Sequence, residues 1–435
     1  MKKILFLIIA VAGLFLVAAC VEEDDGIVVQ GVTDTEIVVG NTAATSGDFA
    51  AVGVPFNAGL EAYFRMVNED QDGVAGRTIE FVTYDDGFDQ ATGITYTKRL
   101  VEEDEVFALV GHFGTPTVGG TINYIQEIGV PMVYAATGIN DLYFQESPMN
   151  PVMAVQPIYL TDGRVMTARA LNESVYGPDQ DEKLSEDAKV GVLHTTADDG
   201  NSILEGIEFE AELSDKEDDF IYKSFSKEDV ATLETAVIDL LDEGVEAIIV
   251  ASNQPPFKVA ANVLNDQGLH VPVFTSYVNA DATSVDKDTD YAFDIYANAW
   301  IDIVDPEGTA GFSDEYWQFV NVMSEAGYDD AEDKGDYTAN AYAMAGYIAA
   351  SIFVEGLKRV DEDELTWESY IEAMESEDID IPMGGFVDFS EGKRWGIASM
   401  ALLKLSPVLD EEENRVDWTW NKVREIEDIE VIQDK

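Results

Sequence analysis

The sequence has few of the residues that build disulfides, metal sites or nucleic-acid surfaces. Its 435 residues include one cysteine and three histidines, and 25 basic residues stand against 86 acidic ones. A single cysteine excludes a disulfide within the chain and a thiolate metal cluster. The formal net charge of −61 argues against a nucleic-acid or anionic-membrane surface, because both need clustered lysine and arginine.

Two catalytic motifs are also missing. The chain has no G-x-S-x-G nucleophile turn and no Gly-Lys-Ser/Thr phosphate loop. His112, His194 and His270 lie far apart in the sequence. His112 and His194 each follow a predicted strand, so both could face the same cleft. A metal site would need a third ligand at a suitable spacing, and the sequence has none. We therefore favour a structural role for these histidines, in which each is hydrogen-bonded at the end of its strand. We therefore expect no enzyme activity, no metal and no cofactor, with an extracytoplasmic α/β hydrolase as the less favoured alternative.

The only long apolar run stands at the beginning of the chain. Lys2 and Lys3 precede the apolar residues 4–19, and Cys20 follows two alanines. This pattern predicts a lipoprotein signal peptide over residues 1–19, lipidation at Cys20 and a polar tether over residues 20–33. Two or three acyl chains on one cysteine suffice for a stable anchor, so we expect a membrane-anchored extracytoplasmic protein. The alternative is an uncleaved N-terminal anchor helix.

The excess of acidic residues has two interpretations. Either the acidic residues bind cations or attract a basic ligand, or they form a solvated surface suited to high salt. In high salt the repulsion between the carboxylates is screened over a few ångströms. The acids are scattered over predicted helix faces and loops, as at residues 102–105 and 361–364. This scatter favours the solvated surface.

Short apolar runs alternate with amphipathic segments of helical length. The runs predict strands at residues 36–40, 79–84, 106–111, 130–135, 189–194, 220–225, 247–251 and 271–275. Several are apolar on both faces, which is typical of parallel sheets covered by helices. A proline-containing stretch at residues 148–157 interrupts the alternation. The pattern predicts an α/β fold with two doubly wound lobes, whose ligand site lies beyond the carboxyl ends of the strands.

The loop at residues 111–117 follows a predicted strand and contains two glycines. Thr115, Thr117 and the amides of the following helix offer hydrogen-bond donors to an anionic or carbonyl group. The other interpretation is that Thr115 caps the helix and Pro116 begins it. The two roles are compatible.

Over residues 33–407 the chain resembles the type I periplasmic binding proteins that serve branched-chain amino acid, amide and urea transporters, the leucine-binding-protein-like family. The resemblance depends on short fragments in the family's order and spacing. They are Ser46-Gly47 with Gly53, Val67-Asn68, Gly76-Arg77, Tyr84-Asp85-Asp86, Leu100-Val101-Glu102, Val110-Gly111, Val130-Pro131, Ala136-Thr137-Gly138, Asp198-Asp199-Gly200 and residues 385–389.

The resemblance implies two lobes joined by a three-segment hinge that close on a solute. It places residues 34–155 and 300–385 in the first lobe, residues 156–299 and 386–420 in the second, and a C-terminal tail at residues 421–435. The first-lobe loops that would hold a carboxylate or carbonyl supply Ser46, Phe113, Gly114, Thr115, Ala136, Thr137 and Gly138. The second lobe would supply Asp198, Asp199, Asn253, Gln254 and Tyr277.

The second lobe departs from the amino-acid pattern of the family. Asp198 and Asp199 stand where those receptors place a tyrosine, and residues 276–279 contain no glutamate to pair an ammonium. An amino-acid solute therefore requires Asp198 or Asp199 as its counter-charge; otherwise the two aspartates cap a helix. The resemblance implies a monomer that delivers an amino-acid-like, amide or organic-acid solute to the membrane permease of an ABC importer. A ligand-sensing receptor domain is the alternative.

Overall fold

The computed structural model describes residues 29–303, 311–410, 412 and 414–435. Cys20, the predicted signal peptide and most of the predicted tether lie outside these residues. None of the helices that the structure describes is both long enough and apolar enough to cross a membrane.

Strands and helices alternate through the first two thirds of the chain. The first series is β1 (Glu36–Ala43), α1 (Ala50–Asp70), β2 (Thr78–Asp85), α2 (Gln90–Glu102), β3 (Ala108–Phe113), α3 (Thr115–Ile128), β4 (Met132–Ala136) and β5 (Val152–Met153). The second series is α4 (Tyr159–Asn172), β6 (Lys189–His194), α5 (Asp198–Leu213), β7 (Phe220–Ser224), α6 (Val230–Asp242), β8 (Val245–Ala251), α7 (Gln254–Asp266), β9 (Val273–Thr275) and β10 (Ile295–Ala299).

The last third adds helices to the first lobe and strands to the second. It comprises α8 (Asp314–Glu325), β11 (Asp329–Asp330), β12 (Gly335–Asp336), α9 (Ala341–Lys358), α10 (Trp367–Met374), β13 (Ile379–Asp380), β14 (Phe386–Val387), β15 (Met400–Leu409), β16 (Arg415–Glu427) and α11 (Ile429–Gln433).

The first lobe is built on a five-stranded parallel sheet in the order β2-β1-β3-β4-β5. Every residue of β3 and β4 is buried, because helices cover both faces of the sheet. Helices α2 and α3 contribute to the core on one face, and α1 and α9 to the core on the other.

The second lobe is built on a seven-stranded sheet in the order β16-β15-β10-β9-β8-β6-β7. Its strands β6 to β10 pair in parallel, whereas β15 and β16 are antiparallel additions at one edge. The predicted fold class, α/β with two doubly wound lobes, is confirmed. The antiparallel pair was not predicted; the two strands follow each other through a short connection, which only antiparallel strands allow.

One helix pair in each lobe packs through glycines. A side chain on Gly59 of α1 or Gly346 of α9 would collide with the backbone of the opposite helix. The same holds for Gly163 of α4 and Gly206 of α5. Because glycine has no Cβ, the backbones approach closely at these four positions, and the crossing geometry behind each sheet is fixed.

The described elements place three passages of the chain between the lobes: between β5 and α4, between β10 and α8, and between β14 and β15. The third passage is held by Arg394, whose side chain is fully buried. Its Nη2 donates to the carbonyl oxygen of Asn150 at 2.8 Å and also pairs with Glu375. A buried guanidinium with both a carbonyl and a carboxylate partner ties this passage firmly to the first lobe.

Residues 421–435, which the sequence predicts to be a tail, are part of the second lobe. Strand β16 continues to Glu427, and α11 packs against α4. The fully buried Arg169 of α4 makes the connection, because its Nη1 lies 2.5 Å from Glu427 Oε2 and it also pairs with Glu173. Sequence composition did not indicate this, since the arginine and its distant carboxylate partner are 258 positions apart.

Candidate functional site

A cavity lies between the lobes at the carboxyl ends of the central strands. It encloses about 660 Å³ of empty space, part of it open to solvent. We call it the interlobe cavity. Its walls are mainly aromatic: Phe49, Phe56, Phe88, Phe113, Tyr159, Tyr277, Trp300 and Tyr342. Aromatic walls with a few polar groups are typical of a site for a small organic molecule.

The phenylalanines form the first-lobe wall of the cavity. The rings of Phe49 and Phe88 stack with centroids 3.7 Å apart, and those of Phe56 and Phe113 are 5.4 Å apart. Phe88 has a left-handed backbone with φ of 63°, which turns its ring toward Gly114. A Cβ on Gly114 would come within 3.2 Å of that ring, so glycine at this position leaves room for Phe88.

Two helices, one from each lobe, begin at the cavity. Gly114 and Thr115 at the start of α3, and Asn253 and Gln254 at the start of α7, line its wall. The first amides of a helix have no acceptor within the helix and carry a partial positive charge. At α7 the backbone donor is the amide of Gln254, because Pro255 and Pro256 have no N–H and the Asn253 amide donates to Asp199. The hydroxyl of Thr115 also lies 2.8 Å from that of Thr137. The cavity therefore offers donors from both lobes to a carboxylate or carbonyl group.

Gln156, in the first passage between the lobes, connects a tyrosine of each lobe. Its Oε1 accepts from Tyr134 at 2.8 Å, and its Nε2 donates to the Tyr277 hydroxyl at 2.8 Å. That hydroxyl donates in turn to the carbonyl oxygen of Pro157 at 2.7 Å. Burial raises the pKa of Tyr277 well above its usual value. The phenol stays neutral, and the network holds its ring against the hinge.

None of the described residues that line the interlobe cavity is acidic or basic. Asp199, a carboxylate that the sequence singled out, is buried and accepts from the backbone amide of Asn253 at 3.1 Å. Burial raises the pKa of Asp199. Asp198 is exposed. An ammonium group in the cavity would thus have no carboxylate of the lining beside it.

The lobes touch across the cleft in this structure. Asn140, which follows β4, donates from Nδ2 to Glu205 Oε2 at 2.7 Å and to the carbonyl oxygen of Ser202 at 3.1 Å. Both partners belong to α5 of the second lobe. The structure is a closed arrangement in which the cavity is walled from two sides.

Comparison with known proteins agrees with this architecture. Residues 36–168 match a family model described as periplasmic binding protein. A fatty acid ABC transporter substrate-binding protein from Thermomonospora curvata superposes with a TM-score of 0.70 at 20% identity, over 95% of this chain and 97% of that one. No curated protein sequence matches the chain.

Two further solved structures contain bound solutes. The solute-binding protein of an ABC transporter from R. palustris, in complex with benzoate, has a TM-score of 0.65 at 16% identity, over 92% of this chain and 99% of that one. An ABC transporter substrate-binding protein from Desulfitobacterium hafniense, in complex with Leu, has a TM-score of 0.63 at 16% identity, over 89% of this chain and 100% of that one. The chain has the type I periplasmic binding protein fold. The resemblance stated from the sequence is confirmed.

This type I binding fold brings together seven of the residues that the sequence singled out. The cavity is lined by Phe113, Gly114, Thr115, Ala136, Asn253, Gln254 and Tyr277. Thr137 lies one layer behind, bonded to Thr115, and Gly138 packs against Tyr159 and Tyr277. Ser46 is exposed at the rim and its amide donates to Asp85. Solute binding by these seven residues, and by Ser46, Thr137, Gly138, Asp198 and Asp199, stays a prediction.

Sequence reasoning missed most of the aromatic wall. Phe88 follows β2 and Trp300 follows β10, so the rule that ligands bind beyond carboxyl ends of strands would have found both. Gln156 lies within the proline-containing stretch that was identified as a lobe connection, and Tyr159 follows it closely. Tyr342 begins α9, far along the chain, and no local signal marks it.

The histidine of β3 has a structural role in the type I fold. His112 is fully buried, with Nδ1 accepting from the Thr42 amide at 3.3 Å and Nε2 lying 2.9 Å from the Thr97 hydroxyl. Burial lowers the pKa of His112 to about 3, so the ring is neutral. In the part of the chain that the structure describes, no three His, Cys, Asp or Glu side chains are grouped so as to hold a metal ion.

Proposed function

We propose that the protein is the solute-binding component of an ABC importer and captures a small solute with an apolar body and a polar end that lacks an ammonium. The observation that carries this proposal is the interlobe cavity, which is lined by aromatic rings and uncharged polar groups. A permease in the membrane would receive the solute from the closed form.

We infer that the solute lacks an ammonium group because burying an unpaired charge in the cavity would cost free energy. A buried ammonium is stable only beside a carboxylate or comparable acceptors. The described lining offers no carboxylate, and Asp199 already accepts from the amide of Asn253. A zwitterionic amino acid would therefore bind at a disadvantage relative to the same molecule without its ammonium.

The polar end of the solute would lie at the beginnings of α3 and α7. Amides there and the hydroxyl of Thr115 donate to a carboxylate or an amide carbonyl, with no basic side chain needed. The aromatic walls would bury the body of the solute. The similar fatty acid ABC transporter substrate-binding protein and the similar solute-binding protein in complex with benzoate support a carboxylate of this kind.

Capture would work by closure of the lobes. A solute that contacts both α3 and α7 binds the closed form better than the open one and shifts the population toward it. Lipidation at Cys20 would keep the monomeric receptor at the extracytoplasmic membrane face, close to its permease. Two or three acyl chains would give a stable anchor.

Binding and closure are tested together on the purified protein in high salt. Aromatic and aliphatic carboxylates and their amides are screened by thermal unfolding, and each hit is then measured by small-angle X-ray scattering. A solute at a hundred times its Kd adds about 2.7 kcal/mol to the free energy of unfolding. The proposal expects at least one compound that raises the unfolding midpoint and reduces the radius of gyration. A screen in which none raises the midpoint contradicts it.

A further inference from the structure

A second cavity lies beside the interlobe cavity and shares part of its wall. It encloses about 1180 Å³ of empty space, part of it open to solvent. We call it the side cavity. Four residues line both cavities: Tyr277, Trp300, Ile301 and Ala341. The two spaces are therefore neighbours separated by one layer of side chains.

The layer between the two cavities contains a tyrosine whose position is fixed by hydrogen bonds and an alanine whose side chain is small. The Tyr277 hydroxyl is held by Gln156 and Pro157, so its ring has a defined position. Ala341 contributes only a methyl group, and its backbone amide donates to Asp281 Oδ2 at 3.1 Å. Ile301 is half-buried, and its terminal ethyl group has more than one staggered rotamer about χ2 although the β-branch fixes χ1. A passage between the two cavities would lie at Ala341 and Ile301.

The far wall of the side cavity is largely apolar. Met344 is buried, Leu403 is half-buried, and Tyr316 is buried beneath Phe312. The Phe312 and Tyr316 ring centroids are 4.6 Å apart, yet Phe312 is 46% exposed. Exposed aromatic surface on the wall of a cavity favours an apolar occupant, which would remove it from water.

The only basic side chain on the described wall of the side cavity is already paired. Lys422 Nζ lies 2.8 Å from Asp302 Oδ2 and 2.6 Å from Glu425 Oε2. It therefore does not attract an anionic head group. A solute that spans both cavities has one favourable orientation, with its polar end at α3 and α7 and its apolar end in the side cavity.

We propose that the solute carries an elongated apolar tail, which passes Ala341 and Ile301 and lies in the side cavity against Met344, Leu403 and Phe312. The inference rests on the proposed function and names the class of solute within it: an alkyl or alkyl-aryl carboxylate or amide rather than a compact acid.

The test uses 4-alkylbenzoates whose alkyl chain grows from none to eight carbons, with Kd measured by calorimetry on the full chain. Each methylene buried in the side cavity lowers Kd about fourfold. The gain begins once the tail passes Ala341 and ends when the cavity is full. Benzoate itself occupies only the interlobe cavity, so its Kd is the reference for the proposed function.

Two variants reduce the side cavity without touching the interlobe cavity. Ala339→Trp fills it from an exposed position, and Ala282→Phe fills it from a second position. The matched control is Ala331→Trp, the same change at an exposed alanine that lines neither cavity. Both filling variants should bind benzoate as the wild type does and lose the gain from the tail, and the control should keep it.

The outcomes separate the two proposals. If benzoate binds but longer tails give no gain, or if the gain persists in both filling variants, the side cavity is not the tail site and the inference is wrong while the proposed function stands. If no member of the series binds, the inference is wrong, and the wider screen of carboxylates and amides decides the proposed function. A length-dependent gain that Ala339→Trp and Ala282→Phe abolish and Ala331→Trp preserves supports the inference.

Discussion

Lys227 of the second lobe lies with its Nζ 2.6 Å from Asp48 Oδ2 of the first lobe. Lys227 follows β7, and Asp48 precedes α1 at the rim of the interlobe cavity. The ion pair spans the cleft and exists only while the lobes are together. It raises the pKa of Lys227, first through the hydrogen bond to Asp48, so the charge of the lysine is secure.

Replacing this lysine tests whether the pair favours closure. Lys227→Gln should weaken solute binding by up to about fivefold at low salt, since exposed ion pairs contribute roughly 0.2–1 kcal/mol. The effect should fade at 1 M salt, where screening acts over about 3 Å. The measurement is Kd by calorimetry at both salt concentrations.

The control for this change is Lys223→Gln. Lys223 pairs with Asp239 at 2.8 Å, and both residues belong to the second lobe. It should leave Kd unchanged at either salt concentration. An equal loss of affinity in the two variants would mean that overall charge, not the cross-cleft pair, is responsible.

The second prediction concerns the space that Gly114 leaves for Phe88. Gly114→Ala should displace the Phe88 ring and lower affinity at least tenfold, in addition to about 1–3 kcal/mol of backbone strain. Gly129→Ala is the control, because Gly129 also has a positive φ, of 83°, but its Cβ would meet nothing within 4 Å. Unfolding midpoints should fall in both variants, whereas Kd should rise only in Gly114→Ala. If Kd rises equally in both, the ring has no part in binding.

The third prediction concerns the hydroxyl of Thr115. Thr115→Val keeps the shape of the side chain and removes its donor, which should weaken carboxylate binding about tenfold or more. Thr121 lies on the same helix, where its hydroxyl donates to the carbonyl oxygen of Thr117 at 2.8 Å. Thr121→Val is therefore expected to alter stability only. Calorimetric Kd values that are unchanged by Thr115→Val would remove Thr115 from the site.

The sequence was sufficient for the fold but not for the character of the site. Strands such as β3 and β8 are apolar on both faces, and this property is local, so it is readable without the structure. The aromatic wall depends on contacts between distant parts of the chain: Phe49 stacks on Phe88, and Tyr134 lies 6.2 Å from Trp300. No spacing rule predicts which rings meet when two lobes close.

The role of the two aspartates shows the same limit. The sequence permits Asp199 either to pair with an ammonium group or to accept hydrogen bonds from backbone amides. In the structure its Oδ2 accepts from the amide of Asn253, on a strand-to-helix loop 54 positions away. This hydrogen bond depends on the relative position of β6 and β8, and the sequence alone does not predict that position accurately enough.

The fourth prediction is a pH dependence of stability at the hinge. Asp162 is fully buried, Asn298 Nδ2 donates to its Oδ1 at 2.8 Å, and burial raises its pKa from 3.8 to about 6. The folded protein therefore holds this proton up to a higher pH than the unfolded chain. The contribution of this carboxyl group to the free energy of unfolding is at its full value below about pH 4 and is lost as the pH rises through about 6.

Asp162→Asn removes the titration and tests this sign. The free energy of unfolding of the wild type should fall relative to the variant between about pH 4 and pH 6, by at most about 1.4 kcal/mol per pH unit. Urea titrations across this range measure the difference. A difference that is constant with pH, or that grows in favour of the wild type, would show that the carboxyl is not held protonated.

An interlobe cavity that has no carboxylate in its described lining should bind a solute without an ammonium. The most direct measurement compares the Kd of 3-phenylpropanoate with that of L-phenylalanine, which differs only by the ammonium group. We expect 3-phenylpropanoate to bind and to raise the unfolding midpoint by a few degrees, and L-phenylalanine to bind at least tenfold more weakly. Tighter binding of L-phenylalanine would contradict this expectation and would make Asp199 the counter-charge.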